Sequence, residues 1–321
     1  MADIKVAVVG IGYMGFSHLR TYSEMKNCNV VGVVDKFPEN LEKARKMFRV
    51  DAYEDVRELL KNTDVDAVSV AVPTDLHDSV AVPLLERGIN VLLEKPIAPT
   101  LEGAEKIIKA AKQGGSTLMI GHVERFNPMV RKAKEIIDND KSVRFCGAYR
   151  MNPPGRSSDS AIIDLSTHDI DVLRYILGSD VKKIGADAIF SNGTEKHVVI
   201  NLTFDSGVKS TVVSSLMYPI KRRELVVLSE NMLLEGNYMT QDINIYRKYG
   251  VKEPKDYFQS LMGTIEYELL RPFVQKGEPL KLEIEHFVEC VRTGSKPLVT
   301  GEEGRRALEI ALEVSRLCRN G

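Results

Sequence analysis

Two patterns of apolar residues divide the chain. Over residues 1–121, short valine-rich runs recur at 6–9, 30–34, 67–72, 91–93 and 117–120 without polar alternation. Runs of this kind predict strands buried on both faces of a parallel sheet. Amphipathic stretches at 16–25, 38–48, 55–61, 76–87 and 101–113 fall between them and predict helices, with Gly88 and Gly114-Gly115 as C-caps. Strand–helix alternation predicts an N-terminal doubly wound α/β domain of the Rossmann type, a dinucleotide-binding domain over 1–121.

After Gly121 the pattern changes. Residues 128–138 and 161–177 read as helices, the second closed by Gly178. Longer, alternating strands follow. In 197–204, Val198, Ile200, Leu202 and Phe204 share one face, with Asn201 and Thr203 on the other. Asp205-Ser206-Gly207 signals a hairpin into 208–217, and Glu230-Asn231 a second hairpin between 223–229 and 232–238. Helices at 282–292 and 301–319 end the chain. The expected C-terminal domain, 122–321, is α+β with a mostly antiparallel open sheet. It is expected to bind substrate and to mediate oligomerisation. No helix is evident for one face of that sheet, and an uncovered apolar face often becomes a subunit interface, so a homodimer or homotetramer is expected.

Composition narrows the function classes. The chain has 321 residues, with 43% hydrophobic and 28% charged, which suits an ordinary globular protein. Its 44 basic and 45 acidic residues leave a net charge of −1, so charge gives no case for nucleic acid or an anionic membrane. No apolar run approaches the roughly 18 residues that span a bilayer. The first residues pass directly into a strand, and Cys28, Cys146, Cys290 and Cys318 form no Cys-x-x-Cys pair. A cytoplasmic protein with reduced thiols is expected.

The candidate chemistry begins at Gly10-Ile11-Gly12-Tyr13-Met14-Gly15. This Gly-x-Gly-x-x-Gly stands between a predicted strand and helix, the context in which it cradles a pyrophosphate over a helix N-terminus. Asp35 ends the second strand about 20 residues on, where a carboxylate bonds the adenosine ribose. A carboxylate there repels a 2′-phosphate and favours NAD over NADP, while the adjacent Lys36 softens that preference. Val72-Pro73-Thr74, with His77 beyond, is expected beside the cofactor; His77 taken alone reads better as a packing residue than as a catalyst.

Glu94-Lys95-Pro96 follows the run 91–93, placing Lys95 at the carboxyl edge of the sheet, with Pro96 a candidate for a cis bond. A lysine there can stabilise developing alkoxide charge. Alone it would pass for a surface lysine. Asp164 and His168, at i and i+4 on a predicted helix, change that reading. Oxidising an alcohol requires a base for its proton, and a free imidazole titrates near ~6.5. Asp164 would orient the imidazole or contact substrate, and Asp171 lies one turn on. No further His or Cys cluster accompanies the pair, so no metal is expected.

With these residues in place the chain resembles the glucose–fructose oxidoreductase and inositol dehydrogenase family over essentially its whole length. The likeness rests on the glycine motif, Asp35, the stretch Ala71 to His77, Glu94-Lys95-Pro96, and Asp164-x-x-x-His168-Asp169-Ile170-Asp171. It implies Lys95, Asp164 and His168 as the catalytic set, with His168 as general base. It also implies an NAD(P)-binding lobe and a substrate lobe whose sheet forms the subunit interface. The stretch from Gly121 to Pro128 is similar to the branch that oxidises the 3-hydroxyl of UDP-N-acetylglucosamine. On that likeness Arg125 and Asn127 are candidate substrate contacts, and Arg150 and Arg156 are basic groups for a diphosphate. One departure is the loop Arg156-Ser157-Ser158-Asp159-Ser160, where the commoner family pattern is glycine-rich.

The expected function is therefore oxidation of a sugar hydroxyl, foremost C3 of UDP-N-acetylglucosamine, with hydride passing from the carbon to NAD and His168 as general base. The competing expectations are a dehydrogenase of a free sugar or polyol such as myo-inositol, and a non-catalytic NAD-binding regulator.

Overall fold

A computed structural model of the chain describes residues 3–155, 159–251, 256–257 and 265–320. They form two compact units: Met1–Phe126 with Glu278–Glu309, and Asn127–Gly277 with Ile310–Gly321. The sequence pattern suggested a single boundary at 121/122. Packing also gathers the segment from Glu278 to Glu309 into the first unit, because its helices carry apolar faces that pair with that unit's own.

The first unit holds six parallel strands in the order β3-β2-β1-β4-β5-β6. They are β1 (Ile4–Val9), β2 (Cys28–Val34), β3 (Ala52–Tyr53), β4 (Ala67–Val70), β5 (Asn90–Glu94) and β6 (Leu118–Gly121). Val6, Val8, Val68, Val91 and Leu93 are wholly buried, as consecutive apolar positions require. The linking helices are α1 (Tyr13–Glu24), α2 (Pro38–Phe48), α3 (Val56–Asn62), α4 (His77–Leu85) and α5 (Leu101–Gly114). The order reverses direction between β1 and β4, the place where open α/β sheets bind ligands at the strands' carboxyl ends. The turn Gly10–Gly12 sits there.

The second unit begins with α6 (Pro128–Asp138), capped by the Asn127 side chain, which accepts from the Met129 N–H at 3.1 Å. Its sheet runs β14-β13-β12-β11-β7-β10-β9-β8. The strands are β7 (Val143–Met151), β8 (Val181–Ser191), β9 (Thr194–Phe204), β10 (Lys209–Ser215), β11 (Arg222–Ser229), β12 (Met232–Asn237), β13 (Ile243–Val251) and β14 (Ile265–Leu270). Every pair is antiparallel except β7 with β10. Both expected hairpins form, and Gly207 turns the first at φ +86°. One face of the sheet packs α6 and α7 (Thr167–Leu177), through Met129, Ala133, Ile170 and Leu173 against Val198, Ile200, Leu225 and Leu234. Leu228, Tyr267 and Leu269 stay exposed.

Two helices close the chain, α8 (Pro279–Thr293) and α9 (Gly301–Asn320). Among the described residues, no helix is long and apolar enough to cross a membrane. The four cysteines are free thiols.

Candidate active site

The glycine loop is built by close approach. Gly10 has φ +88°, and a Cβ there would lie 2.7 Å from the Ala71 carbonyl oxygen. A Cβ on Gly15 would lie 1.8 Å from the Gly10 carbonyl oxygen, so α1 starts flush against the turn. At Gly12 a Cβ would meet nothing within 4 Å, and no side chain caps the N-terminus of α1. Helical N–H groups there face open space of the kind a phosphate fills.

Beside the loop lies a cavity of about 600 Å³, lined by Gly10, Gly12, Met14, Asp35, Phe37 and Pro73 among others. Val72 and Lys36 also line it, as do Glu54 and Asp55, so three carboxylates oppose one lysine. Asp35 is more than a candidate ribose ligand. Its carboxylate accepts from the Ile11 N–H at 2.6 Å, the Phe37 N–H at 2.8 Å and the Asn40 amide at 3.3 Å. It thus braces the glycine loop and keeps one acceptor position on Oδ1. Tyr13 is 88% exposed, and Thr74 opens the short turn Thr74–Leu76.

His77 takes the structural role. Its Nδ1 lies 3.0 Å from the Pro96 carbonyl oxygen and its Nε2 lies 3.0 Å from that of Val72. The ring therefore ties the turn after β4 to the turn after β5. Burial pushes its pKa below the usual range, although the carbonyl contacts oppose this.

Lys95 is half-buried at the carboxyl end of β5, and the Lys95–Pro96 bond is cis. Its N–H donates to the Glu94 carboxylate at 3.2 Å. Glu94 in turn accepts from a buried histidine, His18, at 3.0 Å. His18 was not anticipated, although it lies one turn beyond Gly15 on the inward stripe of α1. A polar residue on that stripe was the available signal.

In the second unit the predicted helix over 161–177 begins as a π-helical turn, Ala161–Ser166, before becoming α7. The Thr167 N–H reaches back five residues to the Ile162 carbonyl. Two hydroxyls serve carbonyls of the widened turn: Ser166 donates to Ala161 at 3.0 Å, and Thr167 donates to Ile162 and Ile163. Ser160 caps the start, accepting from the Ile162 and Ile163 N–H groups. Asp164 reaches back to the Ser160 N–H at 2.8 Å, completing a reciprocal cap one position later than an α-helix would allow. Ile162, Leu165, Ile170 and Leu173 are buried, while Asp164 and His168 remain together on the partly accessible face.

The basic groups expected at substrate have other partners. Arg125 is 3% exposed and donates to Glu303 at 2.6 Å and to the Leu298 carbonyl at 3.4 Å. Arg150 is 1% exposed, with Nε and one Nη on the two Asp169 oxygens at 3.0 Å and its Cζ 5.0 Å from the centroid of the Tyr238 ring. The Asn127 amide donates to the Tyr238 carbonyl at 3.0 Å, so both ends of that side chain are used. Each sits where the sequence could not foresee a partner far along the chain. Arg156 lies outside the described residues.

Comparison with known families agrees with this geometry. Residues 4–122 match the oxidoreductase family with NAD-binding Rossmann fold, and residues 130–234 match the GFO/IDH/MocA C-terminal domain. The chain belongs to the GFO/IDH/MocA oxidoreductase family. Scyllo-inositol 2-dehydrogenase (NAD(+)) of Bacillus subtilis is 27% identical, over 99% of this chain and 95% of the relative. UDP-N-acetylglucosamine 3-dehydrogenase of Acidithiobacillus ferrooxidans is 26% identical, over 98% of this chain and 97% of the relative. The solved structure of that dehydrogenase superposes with a TM-score of 0.88 at 24% identity, covering 100% of this chain and 99% of the other. This GFO/IDH/MocA protein is an NAD-binding oxidoreductase, and the open cradle at Gly12, the uncapped α1 and the carboxylate-lined cavity fit that cofactor.

Proposed function

We propose that this GFO/IDH/MocA protein oxidises a secondary hydroxyl of a sugar or polyol. The observation that carries the reading is the partly accessible pair Asp164 and His168, held at a π-to-α junction, in a chain whose β5 is followed directly by the half-buried Lys95. Bound NAD supplies the hydride acceptor. The loop from Gly10 through Ile11, Gly12, Tyr13 and Met14 to Gly15 binds its pyrophosphate. Asp35 and Lys36 meet the adenosine side, and Val72, Pro73, Thr74 and Glu94 border the nicotinamide side. His168 takes the hydroxyl proton. Lys95 stabilises the charge that develops on the oxygen. Asp164 holds the helix start from which His168 projects. The sheet face that exposes Leu228, Tyr267 and Leu269 joins copies of the chain into a dimer or tetramer.

For the substrate we favour the C3 hydroxyl of UDP-N-acetylglucosamine. Support comes from the stretch Gly121 to Pro128 and from the full-length likeness to the Acidithiobacillus enzyme. A second reading, a free polyol of the inositol type, is favoured by a separate observation. Arg125 and Arg150, the two described arginines expected to meet a diphosphate, are engaged with Glu303 and Asp169.

The test is NADH absorbance with NAD and UDP-N-acetylglucosamine, UDP-glucose, free N-acetylglucosamine or myo-inositol, with a 2-oxoacid acceptor in parallel to reveal tightly held cofactor. Turnover of the UDP-amino sugar alone supports the first reading; turnover of inositol replaces it with the second. Lys95→Ala and His168→Ala should each lower kcat by roughly 10²-fold or more while NAD still binds. Full activity in either variant removes that residue from the mechanism.

A further inference from the structure

Inside the first unit runs a chain of polar side chains that begins at Tyr22, Ser69 and His18, which the chemistry above does not use, and ends at Glu94. Tyr22 Oη lies 2.8 Å from Ser69 Oγ, and Ser69 Oγ lies 3.0 Å from His18 Nδ1. His18 Nε2 lies 3.0 Å from Glu94 Oε1, and the Lys95 N–H donates to Glu94 Oε2 at 3.2 Å. His18, Tyr22 and Ser69 are wholly buried.

The hydrogens of this chain have a direction. Burial pushes the Glu94 carboxyl up, but the His18 hydrogen bond and charge, then the Lys95 charge and N–H, outweigh it and hold it below the usual range. An ionised Glu94 only accepts, so His18 Nε2 carries the hydrogen. Burial raises the Tyr22 phenol, which stays an O–H donor. With the imidazole neutral, the order Tyr22 to Ser69 to His18 to Glu94 gives every donor one acceptor.

Glu94 is also confined by the strand beside it. Gly121 pairs with Glu94 across β5 and β6, and a Cβ on Gly121 would lie 3.3 Å from the Glu94 carboxyl carbon and Oε2. A side chain at position 121 would crowd the carboxylate and oblige it to give by a few tenths of an ångström. If the network merely held α1 to the sheet, apolar side chains of similar volume would do so without the cost of burying polar groups. The chain ends instead on the residue before Lys95.

We propose that His18 is a positioning residue for Lys95: it clamps Glu94, whose other oxygen fixes the Lys95 backbone and whose charge acts on the Lys95 ammonium. The proposal rests on the reading of Lys95 as catalytic.

The first readout needs no substrate. Lysines of the full-length protein are reductively methylated with ¹³C, the Lys95 resonance is assigned by its loss in Lys95→Arg, and its titration is followed by NMR. In His18→Ala the freed carboxylate turns away, and the Lys95 midpoint should fall by about one unit. His18→Gln, whose amide can still donate to Glu94, should restore it. Tyr22→Phe, which cuts only the far end, should leave it unchanged. His18→Asn is the alternative should the alanine variant not fold; its shorter amide keeps the Ser69 side and loses Glu94, so the midpoint should again fall.

The second readout is kinetic, on whichever sugar is turned over. His18→Ala should lower kcat roughly 10- to 100-fold with the NAD Kd from calorimetry unchanged. A Lys95 midpoint that stays at its wild-type value in folded His18→Ala or His18→Asn overturns the proposal. So does a loss of NAD affinity matching the loss of kcat. Full activity in Lys95→Ala would instead sink the catalytic reading, whatever His18 does to the titration.

Discussion

At the scale of single residues, a charged side chain takes its role from its partner. Arg150 stands in a central strand, where an unpaired cation would be prohibitively placed. The Asp169 carboxylate, itself fully buried, makes the position tenable with two charge-assisted bonds. Removing one member takes two charge-assisted bonds from the other, which stays buried. Arg150→Met should therefore cost roughly 3–5 kcal/mol of stability, measured by urea unfolding. Arg150→Met with Asp169→Leu should recover most of it. A single variant within about 0.5 kcal/mol of wild type would show that the pair is not a buried pair in solution. None of this was legible at Arg150 itself, because nothing near it in sequence is its counter-charge. The placement of Lys95 and His168 was legible, since each sits at a position set by its own element: just after a strand and on one face of a helix.

At the scale of elements, the start of the helix that carries Asp164 and His168 shows how a local departure is secured. The π-helical turn leaves carbonyls out of the α pattern, and Ser166 and Thr167 hydroxyls serve them. Glu195 on β9 then ties this start to the last helix. One carboxylate oxygen accepts from Ser160 at 3.2 Å; the other accepts from Ser315 at 2.9 Å and from Arg319 at 3.2 Å. Burial pushes the Glu195 carboxyl up, but the hydrogen bonds and the Arg319 charge prevail, holding it below the usual range. A carboxyl depressed in the folded state contributes stability above its unfolded value, near ~4.3, and loses it as pH falls through the folded value. Wild type should therefore lose urea resistance on acidification below about pH 4.5 more steeply than Glu195→Gln, which should start lower at neutral pH. Parallel pH profiles for the two would remove Glu195 from the linkage.

The same scale explains the strands that the sequence pattern hid. β7 reads Val-Arg-Phe-Cys-Gly-Ala-Tyr-Arg-Met, and its buried positions include glycine, alanine and Arg150, so no alternation is visible. β8 is an edge strand with largely exposed side chains, which need not be apolar. β9, half-buried between neighbours, kept its alternation and was readable.

At the scale of the whole molecule, the sheet face that exposes Leu228, Tyr267 and Leu269 sets an expectation for assembly. Leu228, Tyr267 and Leu269 are 46%, 63% and 41% exposed on strands of one sheet. Light scattering on the eluted protein should give a multiple of the 35.9 kDa chain mass. Leu228→Glu with Leu269→Glu should reduce that multiple while leaving NAD binding intact. A wild-type mass of one chain would remove the interface.

The sequence by itself determined whatever is written within one element or one turn. The parallel sheet shows in unbroken valine runs, the dinucleotide loop in three glycines, and the candidate acid–base pair in a spacing of four along a helix. These are local because backbone geometry converts short separations into fixed positions. Only the tertiary structure decided which polar groups find each other across the chain. It engaged Arg125 with Glu303 and Arg150 with Asp169, turned His77 into a tie between two loops, and placed His18 on the glutamate beside Lys95. It also gathered the segment from Glu278 to Glu309 with the first sheet. A buried polar atom must be satisfied by whatever partner the fold brings within about 3 Å, and sequence separation says nothing about which partner that is.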